Sequence, residues 1–377
     1  MVINTQVFLT TVAAMLVAML VCFMLSPLVK NFAYKVGAID VPKDARRMHK
    51  VPIPRLGGLA IFLGFMVSTL LFVPMTKQLQ GILLGAVIIV VLGVVDDITP
   101  LHAGFKFVVQ IVAALIPVLH GVTISVLSNP NLFSDNPWWF LGGWSVPVTV
   151  LWIVAITNSV NLIDGLDGLA VGVSAISSAT FLVISLIVSE PGISLLCAAI
   201  LGACIGFLPY NRNPAKMFMG DTGSTFLGFI LATISVQGMF KMYAVISFAV
   251  PFLILGLPIF DTVFAFTRRI AKGQNPMKAD RGHVHHRLID MGLNQKQAVA
   301  TLYVISTILG LSAVVLTTSG EIKAMLLMVA LCTVGLVASR VVFPKHHAEQ
   351  PAAPAADGAE QPPEAQQEPQ EQQTRGE

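Results

Sequence analysis

Residues 158–170 read NSVNLIDGLDGLA, which sets Asn158, Asn161, Asp164 and Asp167 among glycines and between apolar runs. A carboxylate beside a hydrophobic segment is costly unless a cation or hydrogen-bond donors meet its charge. Four further stretches repeat the problem. VVDDITP carries Asp96 and Asp97, with Lys106 downstream. FMGDTGS carries Asp221. PIFDT puts Asp261 inside an apolar run, and ADRGHVHHRL gathers His283, His285, His286 and Arg287. Carboxylate and amide oxygens suit a hard cation such as Mg²⁺, which takes one or two protein carboxylates and completes its shell with substrate phosphates. Lys and Arg then hold the remaining phosphate charge. Glycines beside the acids (Gly165, Gly168, Gly220, Gly223) let the backbone come close to a ligand. The chemistry that unites these residue types is phosphoryl transfer.

The elements that must position them are membrane helices. Of the 377 residues 55% are hydrophobic and 11% charged, with a mean hydropathy of +0.78. Soluble domains carry roughly 25% charged residues. A helix needs about 20 mostly apolar residues to cross a bilayer. By that measure the spans fall at 6–29, 57–75, 79–95, 105–120, 144–158, 168–188, 193–209, 223–240, 243–266, 298–318 and 323–343. The expected fold is therefore an all-α polytopic membrane protein with eleven spans. The first has no basic flank before it and no small-residue cleavage site after it, so it reads as a helix rather than a signal peptide. Residues 1–345 form the membrane domain. The Gln-, Pro- and Glu-rich segment 346–377 cannot bury a core and reads as a disordered cytoplasmic tail. The four cysteines all lie in apolar runs, without the spacing of a metal site or disulfide framework.

Basic residues orient the bundle. Of the 23 Lys and Arg, all but Lys77, Lys241 and Lys323 fall on one side of the eleven spans. That side is read as cytoplasmic, with the N-terminus outside and the C-terminus inside. The motifs lie on the same side, Asp261 just within its span. The opposite loop 121–143 has no Lys or Arg but holds Trp138 and Trp139, and Trp144 follows it, suiting an interfacial aromatic belt.

VVDDITP with Lys106, NSVNLIDGLDGLA, FMGDTGS and HVHHRL, in this order, resemble the polyprenyl-phosphate N-acetylhexosamine-1-phosphate transferases. RRMHKVPIPRLGG at 46–58 resembles that family's first cytoplasmic loop. The likeness covers about residues 1–340 and is nearest to the branch that uses UDP-N-acetylglucosamine, which starts teichoic acid and O-antigen-type glycans. It implies transfer of GlcNAc-1-phosphate from UDP-GlcNAc to undecaprenyl phosphate, with release of UMP, at the plasma membrane. It implies Mg²⁺ held by Asp221 and Asn161, with Mn²⁺ as a substitute. It places Asp96, Asp97 and Asp164 in catalysis, and Lys106, Asp167, His283, His285, His286 and Arg287 in substrate binding. A phosphate oxygen is already ionised near neutral pH, so Asp96 and Asp97 are expected to position charge rather than remove a proton.

The sister branch uses UDP-MurNAc-pentapeptide and carries a run like HHHFE where this chain has His283-Val284-His285-His286-Arg287. It stands as the second reading. A secondary transporter is disfavoured because its charges belong near the bilayer midplane. Expected partners are the two substrates and the lipid bilayer. No nucleic acid is expected, and a homodimer is one open arrangement.

Overall fold

The computed structural model describes residues 5–42, 51–128, 138–239, 249–273 and 282–319, together with 323 and 329. The eleventh span apart from residues 323 and 329, the tail from 346, and the loop residues Asp280 and Arg281 lie outside the described residues.

Among the described residues twelve α-helices carry the fold: α1 (Thr5–Val36), α2 (Gly57–Phe72), α3 (Lys77–Ile98), α4 (Ala103–Leu119), α5 (Ser145–Leu162), α6 (Leu169–Ile187), α7 (Pro191–Asn211), α8 (Gly220–Ile234), α9 (Ala249–Ile254), α10 (Gly256–Ala271), α11 (Val284–Asp290) and α12 (Gln295–Ser319). Two short antiparallel strand pairs accompany them among the described residues. β1 (Ile39–Asp40) pairs with β2 (Ile53–Pro54), and β3 (Val126–Ser128) with β4 (Trp138–Phe140). Among the described residues six helical segments are long and apolar enough to cross a bilayer: Thr5–Val36, Lys77–Ile98, Gly142–Leu162, Leu169–Ile187, Pro191–Asn211 and Gln295–Thr318. The protein is an all-α polytopic membrane protein.

Burial follows the logic of lipid rather than water. Helix α1 buries Thr11, Ala14, Ala18, Cys22, Ser26, Val29 and Ala33, mostly small residues three or four apart, and exposes Phe8, Leu16, Leu20, Phe23 and Leu28. A soluble helix would do the reverse; in a membrane, small residues let helices approach and large apolar ones meet lipid. Helix α1 lies along α2 and α7, where Gly202 and Gly206 face the carbonyls of Met15 and Met19. Cys22, Cys197 and Cys204 are buried and unbridged, as expected of small apolar residues. Helix α8 is buried at every position from Thr222 to Ile234, between α3 and α5. Gly93 of α3 meets Thr222, and Gly228 of α8 meets Thr157 of α5, so closely that a Cβ at either glycine would collide with backbone.

Two helices differ from the sequence reading. The fifth span was placed at 144–158, yet α5 continues to Leu162, so Asn158 and Asn161 stand on a helix rather than in a loop. The Asn158 side chain donates to Val154 O at 2.8 Å and to Gln110 Oε1 of α4 at 2.7 Å, which satisfies it inside the bundle. The ninth span, read as continuous from 243 to 266, breaks at Leu255 between α9 and α10 in its described part. Gly256 and Pro258 explain the break: glycine weakens a helix, and proline removes a backbone donor.

The stretch just before α2 is stitched to the start of α8 by main-chain bonds. Phe218 N donates to Pro54 O (2.9 Å), Gly57 N to Phe218 O (2.9 Å) and Gly58 N to Met219 O (2.8 Å). Gly58 fits only because it has no side chain, since a Cβ there would lie 2.0 Å from Gly223 N.

Candidate active site

The polar motifs converge on one end of the bundle. A cavity of about 610 Å³ is lined there by Asp97, Asn161, Asp164, Asp167, Asp221 and His286, together with Asp40, Arg55, Asn211, Asn213, Phe218 and Gln295.

Asp221 of its lining is one of a pair of carboxylates bridged by a lysine that stands outside the lining. Lys106 Nζ, from the first turn of α4, donates to Asp96 Oδ2 of α3 at 3.0 Å and to Asp221 Oδ2 of α8 at 2.8 Å. Asp221 Oδ1 also accepts from Asn161 Nδ2 at 3.2 Å, and the same amide donates to Ser224 Oγ at 2.8 Å. Four elements thus meet at Asp221.

Asp97 behaves differently from its neighbour. It is 3% exposed and serves the N-terminus of α8. Its Oδ1 accepts from Asp221 N (3.0 Å), and its Oδ2 accepts from Thr222 N (3.0 Å) and Thr222 Oγ1 (2.6 Å). Arg55 Nε donates to the Asp97 carbonyl at 3.1 Å. A carboxylate at the C-terminal end of α3 opposes that helix's dipole, but the N-terminal end of α8 rewards it. Gly220, at φ +69°, makes the turn that brings the amides in; a Cβ there would lie 2.3 Å from Asp97 Oδ2.

The two acids of the DGLDG turn are divided. Asp167 Oδ2 accepts from Asn213 Nδ2 (2.9 Å) and Ala215 N (3.0 Å), and Asn213 also donates to Gln295 Oε1 of α12 at 2.7 Å. Buried Asn211 fastens the turn by accepting from Gly168 N and donating to Met217 O. Asp164 has no such set of donors. Burial, with the negative charges of Asp221, Asp97 and Asp167, pushes its carboxyl up to about 8.

His285 and His286 stand on the short helix α11 beside this turn, and His283 immediately precedes it. Asp261 is 1% exposed; its Oδ1 accepts from Val284 N (2.7 Å) and its Oδ2 bonds His283 Nδ1 (2.8 Å), so this acid of α10 fixes the start of α11. The rings of His283, His285 and His286 lie in succession, with centroids 5.7 Å and 4.3 Å apart. His285 is buried and packs on Gly165, where a Cβ would lie 2.2 Å from its Nε2. Burial and the neighbouring His286 hold His285 down to about 4, so it is neutral at pH 7. Arg287 is exposed, with its guanidinium 4.7 Å above the Phe264 ring.

Of the residues singled out in the sequence, the structure brings together Asp96, Asp97, Lys106, Asn161 and Asp221, with Asp164, Asp167 and His286 on the same cavity wall. Asp96, Lys106, His283, His285 and Arg287 do not line the cavity; Asp96 and Lys106 reach it only through Asp221. Sequence reasoning missed Asn211, Asn213, Gln295 and the direct role of Arg55. A signal existed in NRNPAK at 211–216, a polar run with proline between two apolar spans.

An all-α membrane protein with an acid-rich cavity at one mouth of its bundle has the architecture of a membrane-embedded enzyme. The chain belongs to glycosyl transferase family 4, whose signature matches residues 79–239. It is 42% identical over 306 residues to a probable undecaprenyl-phosphate N-acetylglucosaminyl 1-phosphate transferase of Bacillus subtilis, covering 81% of this chain and 84% of that one. It is 31% identical over 325 residues to a decaprenyl-phosphate N-acetylglucosaminephosphotransferase of Mycolicibacterium smegmatis, covering 76% and 77%. A phospho-N-acetylmuramoyl-pentapeptide-transferase of Limosilactobacillus reuteri is 36% identical over 246 residues, which is 61% of this chain and 75% of that one.

Proposed function

We propose that this enzyme transfers GlcNAc-1-phosphate from UDP-GlcNAc to undecaprenyl phosphate, giving undecaprenyl-diphospho-GlcNAc and UMP as the first lipid-linked step of a cell-surface glycan, wall teichoic acid being the polymer we favour. The observation that carries this is the 42% identity, over most of both chains, to the Bacillus subtilis relative. A phosphate oxygen of the lipid attacks the β-phosphorus of the nucleotide sugar, and the bond to the UMP oxygen breaks. Lys106 holds charge on the attacking phosphate, and Asp96 and Asp221 hold Lys106 in place. His286 faces the diphosphate. Asp167, with Asn213 and Phe218, forms the wall for the nucleotide.

The donor set fits Mg²⁺. Among the described residues no three His, Cys, Asp or Glu side chains are grouped to cage a metal. Mg²⁺ needs no such cage when phosphates complete its shell. Asp221 and Asn161 are the residues that would hold it; a half-turn of the Asn161 amide presents Oδ1 where Nδ2 now stands. Asp164, crowded by three other carboxylates, is the group a divalent cation would relieve. Bound there, the ion would offset phosphate charge as the diphosphate breaks.

The reading keeps eleven spans, with the N-terminus outside and the cavity cytoplasmic. Its support is that Arg55, Lys106, Arg212, Lys216 and Lys296 all belong to the cavity end, whereas Lys77 begins α3 at the other end. The assay is UMP release by purified protein given Mg²⁺, undecaprenyl phosphate and either UDP-GlcNAc or UDP-MurNAc-pentapeptide. Release with the first donor alone is expected. Release only with the second moves the chain to the sister branch, and release with neither by folded protein refutes the proposal.

A further inference from the structure

A second cavity, of about 580 Å³, backs onto the first. Its lining includes Arg212, Lys216 and Lys296, with Leu208, Val299 and Tyr303, and it shares Asp167, Asn213 and Pro214 with the catalytic cavity. All three cations are exposed. Among the described residues no carboxylate pairs with any of them. The one acid in the lining, Asp167, is already taken by Asn213 and Ala215.

The slot is graded along the membrane normal. It lies where α7 ends at Asn211 and α12 begins at Gln295. The cations stand at or beyond those ends, at headgroup level. Leu208 lies one turn into α7, and Val299 and Tyr303 lie one and two turns into α12, reaching roughly 12 Å deeper at 1.5 Å per residue. Cations at the interface above an apolar wall match a phosphate that carries hydrocarbon chains, not a soluble anion.

We infer that this slot binds one anionic phospholipid of the surrounding bilayer, its phosphate held by Arg212, Lys216 and Lys296. The site is separate from the acceptor phosphate, which meets Lys106 on the far side of Asp221. Its occupant presses on the turn that carries Asp167, because Tyr303 of the slot donates to Gly168 O at 2.6 Å. Lipid charge would thus reach the donor cavity through the backbone of that turn.

The test uses the full-length protein in nanodiscs of phosphatidylglycerol and phosphatidylcholine, followed by native mass spectrometry after mild delipidation. Wild type is expected to keep one phosphatidylglycerol in preference to phosphatidylcholine. The triple variant Arg212→Gln, Lys216→Gln, Lys296→Gln should lose that preference on the order of 100-fold, from about tenfold or less per interfacial charge. The charge-preserving triple Arg212→Lys, Lys216→Arg, Lys296→Arg should keep it, and both should melt like wild type, since the altered side chains are exposed. An unchanged preference in the neutral triple overturns the inference. So does displacement of the lipid by inorganic phosphate or UMP, which would make the slot a soluble-anion site. A shift in dimer fraction without a change in retained lipid would make it a contact between copies and equally overturn it.

Discussion

Asp97→Asn separates two roles that the sequence could not divide. If Asp97 anchors α8, its loss is first a loss of stability. Asn can still accept from Thr222, but its amide would then point a donor at Asp221 N, which Asp97 Oδ1 now accepts at 3.0 Å. An unmatched buried donor costs about 1–3 kcal/mol. The lost charge at a helix N-terminus costs roughly 0.3–1 kcal/mol more. The neutral side chain recovers part of this because no charge has to be buried. The net expectation is about 2 kcal/mol of destabilisation, read as a lower melting temperature in detergent. Turnover should fall by about 100-fold or less as Asp221 loosens, with both limbs of the pH–rate profile retained. A general base contributes about 10²–10⁴-fold and shows as a limb of that profile. An Asp97→Asn enzyme that melts like wild type, yet loses about 10⁴-fold in rate and one limb, would refute the anchoring role.

Other substitutions probe other contacts. Asp221→Asn should abolish UMP release, by about 10³-fold, and near-normal release would remove Asp221 from the centre. Gly165→Ala should cut activity by about tenfold or more, because the new Cβ would lie 2.2 Å from His285 Nε2 and must displace that ring; unchanged donor KM and kcat would contradict the packing. Asp261→Ala removes both bonds that start α11 and should raise the donor KM more than it lowers the melting temperature, checked by steady-state kinetics alongside thermal unfolding. The Asp164 carboxyl, raised to about 8 from the ordinary carboxylate range, favours the folded protein when protonated. Its contribution is therefore full below about pH 4 and lost as pH rises through about 8, so the metal-free protein should melt at lower temperature at pH 9 than at pH 6. Mg²⁺ should flatten that slope, and a slope indifferent to Mg²⁺ would place the ion elsewhere.

The helical bundle was legible because hydrophobic length is a strong signal, and the shared side of the motifs because lysine and arginine sort by loop. What stayed hidden depends on contacts far apart in the chain. Asp96 and Asp97 are adjacent and chemically identical, yet one meets Lys106 and the other the amides of α8, 124 and 125 residues away. Their difference is which face of α3 each occupies, and that emerges only when α8 is in place. Asn161 was visible as a polar residue, but its helix was placed four residues too short because amides near a glycine turn look like loop. Asp261 could be read from sequence only as orienting the histidine loop, and its bonds to His283 and Val284 supply the atoms of that reading. Asn213 and Gln295 lie 82 residues apart, and no local pattern announces their bond.

The main-chain ladder between residues 54–58 and 218–219 has a consequence for how such an enzyme diversifies. Those bonds join atoms that every residue type shares, proline's missing donor aside. Apart from Gly57 and Gly58, where a Cβ would collide with its surroundings, the floor beneath the acids is therefore set by main chain rather than by the side chains that rise from it. Phe218 is free to be exchanged as a donor sugar changes, while the main-chain register that sets Asp221 against Asp97, with Arg55 on the Asp97 carbonyl, stays fixed. Novelty in substrate and constancy in chemistry are thereby assigned to different parts of the same few residues.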